Sequence, residues 1–199
     1  MKKLSREFYL KDTVAVAKGL LGKYLVYNKN ENTFVGMIVE TEAYRENDLA
    51  SHSSSGKTDR NSAMFMQGGY LYVYLTYGIH YCANIVTEKE DYGSAVLIRA
   101  VEPLEGIKAM KENRKISDIN NLTGGPAKFC QAFGITIEQN KLDLTLDTIF
   151  CIESNIKNFQ IKKSSRIGVT KATEKLWRFF IQDNKYVSKK NKNSKPCVL

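Results

Sequence analysis

GMIVETEAY (Gly36–Tyr44) and YLYVYLTYGIHYCANIV (Tyr70–Val86) are the stretches around which this chain is organised. Side chains alternate along an extended strand, so Glu40, Glu42 and Tyr44 share one face while Val39, Thr41 and Ala43 share the other. The apolar run MIV leads into the acidic pair and places Glu42 where a core strand emerges into a cleft. A single carboxylate held there can act as a general base on water. The solvated edge of a sheet would account for the two glutamates as well. In the second stretch Tyr70, Tyr72 and Tyr74 alternate with Leu71, Val73 and Leu75, giving a ribbon with one aromatic and one aliphatic face. Tyrosine is a good strand former, so Tyr70 and Tyr72 are read as structural. Tyr77 falls on the opposite parity to Tyr74, at the hairpin tip Tyr77-Gly78-Ile79-His80, where a ring has little core to enter; a protruding aromatic there suits wedging between stacked bases.

The strand partners follow. Tyr81 to Thr87 returns from the tip with Cys82, Asn84 and Val86 on one side, and SAVLIRAVEP supplies a further strand with Arg99 inside an apolar run. A charge embedded in that way must find a partner, and Glu42 is the expected one. Between the two opening stretches, residues 45 to 63 are polar, serine-rich and aperiodic, a loop long enough to be functional.

Helices frame this sheet. Leu10, Val14, Ala17 and Leu21 recur at helical spacing, with Asp12 as N-cap and Gly22 as terminator. A second helix is expected from Pro103 through Leu104, Ile107 and Met110. A third begins at TGGPAKFCQAFGI with Pro126 in its first turn and Gly134 at its end. Thr123, Gly124, Gly125 and Lys128 at the start of this third helix suit a phosphate; the glycines of an ordinary helix start would look the same.

Lysine and arginine outnumber aspartate and glutamate by 30 to 21, a formal charge of +9, which favours a polyanion through counterion release. Charges interrupt the N-terminal segment and no apolar run is long enough to span a bilayer, so neither leader nor membrane segment is expected. Cys82, Cys130, Cys151 and Cys197 are widely spaced with only His52 and His80 to assist them, so no zinc site is expected and reduced thiols in an intracellular protein are. The chain reads as one domain, 1–199, with a basic tail from about 189.

GMIVETEAYRENDLASH, TDRNSAMFMQGGYLYVYLTYGIHYCANIV, AVLIRAVEPLEG, GGPAKFCQAFGI, and RIGV followed by LWRFF together resemble the alkyladenine (3-methyladenine) DNA glycosylase family, in the family's order from about Leu10 to Ser188. The resemblance implies an α+β fold: a single mixed domain with a curved antiparallel sheet flanked by helices and a protruding hairpin. It also implies an enzyme that flips a damaged purine out of double-stranded DNA and hydrolyses its glycosidic bond without a cofactor. Glu42 matches the general base; Arg99 and the backbone carbonyl of Ile167 match positions that hold its water. Tyr44, His52 and Tyr74 match residues that stack on or hydrogen-bond the flipped base. Asn84 matches a residue that obstructs the amino group of guanine, and Tyr77 the residue that fills the gap left in the duplex. A monomer is expected, acting in the cytoplasm or nucleoid, or in the nucleus of a eukaryote. Two other readings stand beside this one: a metal-dependent nuclease using Glu40, Glu42, Asp48 and His52, and a non-catalytic nucleic-acid-binding module.

Overall fold

The computed structural model of the protein describes residues 2–154, 156, 158–188 and 195–196. Cys197 and most of the basic tail lie outside the described residues. Its helices and strands, in chain order, are α1 (Arg6–Tyr9), α2 (Thr13–Gly19), β1 (Tyr24–Lys29), β2 (Asn32–Tyr44), β3 (Leu71–Thr76), β4 (His80–Val86), β5 (Ala95–Glu105), α3 (Ile107–Arg114), α4 (Pro126–Phe133), β6 (Ile149–Ile152), β7 (Ile161–Ser164), β8 (Arg178–Ile181) and β9 (Lys195–Pro196). The strands form one antiparallel sheet in the order β3-β4-β5-β2-β8-β7-β9, with β1 pairing both β2 and β6. This is an α+β fold with a curled, half-barrel sheet. None of the described helices is long and apolar enough to cross a membrane.

The 13-residue β2 explains the curl. Its first half is paired by β1 on one side and Glu40–Glu42 by β8, while β5 runs along the other side from Val35 to Tyr44. Register shifts in the β2–β5 ladder mark β-bulges, which add local twist. From Phe34 to Ala43 nearly every residue of β2 is buried on both faces. On one face Thr41 donates its hydroxyl to the Ala17 carbonyl of α2 at 2.8 Å. The core there gathers Val16 and Ala17 of α2 and Leu20 just past its end with Phe129 and Phe133 of α4, whose rings lie 4.9 Å apart. The other face carries the candidate site.

Local chemistry sets the helix ends. Asp12 caps α2 by accepting the amides of Val14 and Ala15 at 2.9 and 3.1 Å. Leu10 does not join this helix: it sits between α1 and α2 and is 37% exposed, because the cap forces the chain out of helical geometry. Gly22 likewise stands past the helix end, where its N–H donates to the Ile38 carbonyl and leads into β1. α4 starts at Pro126 and stops at Gly134, which adopts φ +65° as a left-handed cap. The helix expected from Pro103 begins later, at Ile107. Pro103 and Leu104 belong to β5, with Pro103 opposite Gly36, and the turn is made at Gly106, where φ is +78° and a Cβ would meet the Thr33 carbonyl at 2.7 Å.

Residues 45 to 63 form no strand, yet they are firmly held. Ser53 donates to the Gly93 carbonyl at 2.6 Å, and the Asn61 amide donates to the carbonyls of His52 and Gly56 at 2.8 and 2.9 Å. Asp48, fully buried, pairs with Arg166.

The buried carboxylates make stability depend on pH. Burial pushes the Glu40 carboxyl up, but Arg99 and Arg178 outweigh it, and it lies below its ordinary value of 4.5. Burial acts on Asp48 in the same direction and Arg166 overcomes it, leaving Asp48 below 3.8. A carboxylate lowered in the fold contributes stability above its unfolded value and loses it as pH falls through the folded one. The urea midpoint should therefore hold between pH 7 and about 5 and fall steadily below about 4.5; a midpoint unchanged down to pH 3 would contradict this.

Candidate active site

Cross-strand register assembles the site. Tyr72 of β3 lies opposite Asn84 of β4, Asn84 opposite Leu97 of β5, Leu97 opposite Glu42 of β2, and Glu42 opposite Arg178 of β8. Directly opposed residues share a face, so this row crosses the sheet on the side away from α2. Tyr74 and Cys82, also opposed, form the next row. In the β2–β5 ladder Glu40 faces Ala100 and Thr41 faces Ile98, which leaves Arg99 as the extra residue of a bulge. The bulge aims the Arg99 guanidinium at both glutamates: Nε donates to Glu40 Oε1 at 2.8 Å and Nη1 to Glu42 Oε2 at 3.1 Å. The expected Arg99–Glu42 pair is thus present, within a larger network. Glu40 also accepts from Arg178 Nε at 2.6 Å and from the Ser188 amide and hydroxyl at 2.6 and 2.9 Å. Neither glutamate belongs to a solvated edge; both are 0% exposed.

Glu42 receives three donors. Tyr44 Oη donates to Oε2 at 2.8 Å, Arg99 Nη1 to the same oxygen, and the Ile167 N–H to Oε1 at 2.7 Å. It is the N–H of Ile167 that makes this contact. Burial and the neighbouring Glu42 push the Tyr44 hydroxyl far above the usual phenol range, so it remains a donor.

Next to this network lies a cavity of about 330 Å³, near the lower end for small-molecule sites; Glu42 is not among its lining residues, but its three hydrogen-bond donors, Tyr44, Arg99 and Ile167, are. Tyr44, His52, Tyr74, Tyr77, Asn84, Arg99 and Ile167 all line it, so most of the residues singled out in the sequence converge on one space. Two rings set its aromatic wall: Tyr72 and Tyr74 stack with centroids 5.4 Å apart, and His52 meets Tyr74 edge-on at 4.5 Å. His52 Nδ1 and the Tyr72 hydroxyl share a hydrogen bond of 3.0 Å. Burial, assisted by Arg60, lowers the His52 imidazole and favours its neutral form at pH 7; burial pushes the Tyr72 hydroxyl up to about 12. Burial also raises the Tyr74 phenol and the Cys82 thiol. The walls are therefore largely aromatic, with the Arg99 guanidinium, ion-paired to the buried Glu42, as a charged lining group.

Tyr77 stands at the mouth, 90% exposed and with φ +50°. Left-handed backbone costs a tyrosine roughly 1–2 kcal/mol, and the turn holds it there beside Gly78 at φ +71°, with the Ile79 N–H returning to the Thr76 carbonyl. Pro126 and Ala127, the first residues of α4, also reach the cavity; Lys128 does not line it.

The carboxylates of the nuclease reading are held by cations in other parts of the site. Glu40 binds Arg99 and Arg178, and Asp48 binds Arg166 and Lys175. No group of three or more metal-binding side chains exists among the described residues.

The sequence as a whole matches the methylpurine-DNA glycosylase family model over residues 7–185. This chain belongs to the methylpurine-DNA glycosylase family. Among curated relatives it is similar to a Clostridium novyi (strain NT) protein, 48% identical, with 96% of this chain and 100% of that one covered. A Prosthecochloris aestuarii protein is 47% identical over 95% of this chain and 92% of its own. One from Clostridium acetobutylicum is 45% identical over 94% and 97%. All three bear the name "Putative 3-methyladenine DNA glycosylase".

For this member of the methylpurine-DNA glycosylase family, Tyr72 is the residue the strand argument passed over: its ring is structural and its hydroxyl also orients His52. Arg166, Arg178 and Ser188 were missed as well. The apolar surroundings of Arg178 in LWRFF carried the same signal that picked out Arg99.

Proposed function

We propose that this chain is a DNA repair glycosylase that turns an alkylated or otherwise damaged purine out of duplex DNA into the cavity and hydrolyses its N-glycosidic bond. The observation that carries the reading is the hydrogen-bond count at Glu42. A carboxylate offers about four lone-pair positions. Two donors meet Oε2 and one meets Oε1, so an acceptor position remains on Oε1 for a water molecule. In the proposed reaction that water attacks C1′ of the deoxyribose, the C1′–N bond breaks with its electron pair leaving on the purine, and Glu42 takes the proton. Arg99 and the Ile167 carbonyl hold the water. One carboxylate acting on water suffices for a cationic alkylated purine, a good leaving group that is neutralised as it leaves. The products are a free base and an abasic site, with the strand uncut.

The walls fit the same substrate. Tyr44, Tyr74 and His52 offer faces and edges to a flat ring, and base stacking on one aromatic ring returns roughly 1–3 kcal/mol against a flipping cost of a few. Asn84, fixed by donating to the Tyr72 carbonyl at 3.0 Å, stands where it would obstruct an exocyclic amino group. Lys128, which forms no ion pair with a described residue, and the start of α4 meet a backbone phosphate. Tyr77 fills the gap in the stack. Replacing it with serine should lower the flipped fraction about tenfold, the equivalent of roughly 1.4 kcal/mol of lost stacking, as read from a fluorescent base analogue at the lesion site. An unchanged fraction would remove Tyr77 from this role.

A further inference from the structure

Ile167 lies in a segment without regular structure between β7 and β8, so no sheet ladder places the amide that holds Glu42. The residue before it does. Arg166 is buried; its Nη1 donates to the Ala43 carbonyl at 3.0 Å, between Glu42 and Tyr44 on β2. Both its Nη atoms donate to the buried Asp48 carboxylate, Nη2 at 3.0 Å. The guanidinium centre also lies 4.7 Å from the Tyr44 ring and 5.5 Å from that of Trp177. One planar fork therefore fixes three things: the strand bearing the carboxylate, the loop that four residues after Asp48 carries His52, and the peptide that donates to Glu42. Lysine could not replace it, because an ammonium is a point charge without the two parallel donors.

We infer that the Asp48–Arg166 pair is a positioning device for the reaction: it sets the Ile167 N–H against Glu42 and holds the two cavity walls in register. The inference rests on the proposed catalytic role of Glu42. A misplacement on the order of 1 Å can cost about 100-fold in rate, so a device outside the cavity carries catalytic weight without touching substrate.

Arg166→Lys and Asp48→Asn test it, in the full-length protein with a duplex bearing one methylated purine. Single-turnover excision should fall roughly 10- to 100-fold, while the Kd for the duplex changes less than about threefold. Arg99 and Tyr44, which face Glu42 directly, are unchanged in these variants. Hydrogen exchange at the Ile167 amide should speed up more than at the amides of β2. This last readout needs no activity. Should the buried pair prove necessary for folding, Lys175→Gln relaxes Asp48 from its more exposed side, 3.6 Å away, and should show the same shifts in smaller measure. Folded variants with wild-type rate and Ile167 exchange would overturn the inference. A wild-type protein that releases no base, or a fully active Glu42→Gln variant, would overturn the underlying reading instead.

Discussion

Glu42→Gln should abolish excision while leaving lesion binding intact. Glutamine preserves the shape that accepts the Ile167 N–H and removes the charge that lets Glu42 take a proton from water. General-base catalysis of this kind contributes about 10²–10⁴-fold, and a loss of roughly 10³-fold in single-turnover rate is expected. Affinity for lesion duplex should be equal or tighter, since a negative charge has been removed from a site that receives polyanionic DNA. The split between rate and affinity identifies the role: loss of both would point to a collapsed cavity, and loss of neither to another base. Gel-shift titration beside single-turnover quantification of released purine distinguishes the three.

Arg99→Met should be the most damaging change to the fold within the site. Arg99 is the cation shared by Glu40 and Glu42. Removing it leaves Glu40 with Arg178 and Ser188, but leaves Glu42 with only neutral donors, a buried carboxylate without a counter-charge. Breaking a buried pair in this way costs about 3–5 kcal/mol, which should appear as a lower urea midpoint with an unchanged m-value. The folded fraction should excise slowly. A stability loss under about 1 kcal/mol would mean that the charges of this network are compensated elsewhere.

Most of the site was legible in the chain because period-2 alternation orders it. Parity put Glu40, Glu42 and Tyr44 together, and the structure joins them through the Tyr44–Glu42 hydrogen bond and the shared Arg99; Tyr77 lies past the end of β3 in a left-handed turn, where strand parity no longer applies, and it lines the same cavity as Tyr74. The desolvation cost of Arg99 announced its carboxylate partner. What stayed hidden depends on distance along the chain or on an interrupted ladder. Arg166 and Asp48 are 118 residues apart and join two segments lacking periodicity. The bulge at Arg99 leaves no local mark, and it is the reason one guanidinium reaches two glutamates. Tyr72 was assigned to packing because tyrosine favours strands, a true statement that hides its hydroxyl's work. Leu10 and Leu104 fitted helical spacing but lost to stronger local constraints, the Asp12 cap and the long β2–β5 ladder.

The central claim is that Glu42 directs water to the glycosidic bond of a damaged purine. Its most direct test is incubation of the protein with alkylated duplex DNA in EDTA, scoring free base, strand breaks and abasic sites together. The account predicts release of methylated purine, abasic sites in equal amount and intact strands, with all release lost in Glu42→Gln. Strand cleavage that EDTA abolishes, or binding with no base released, would contradict it.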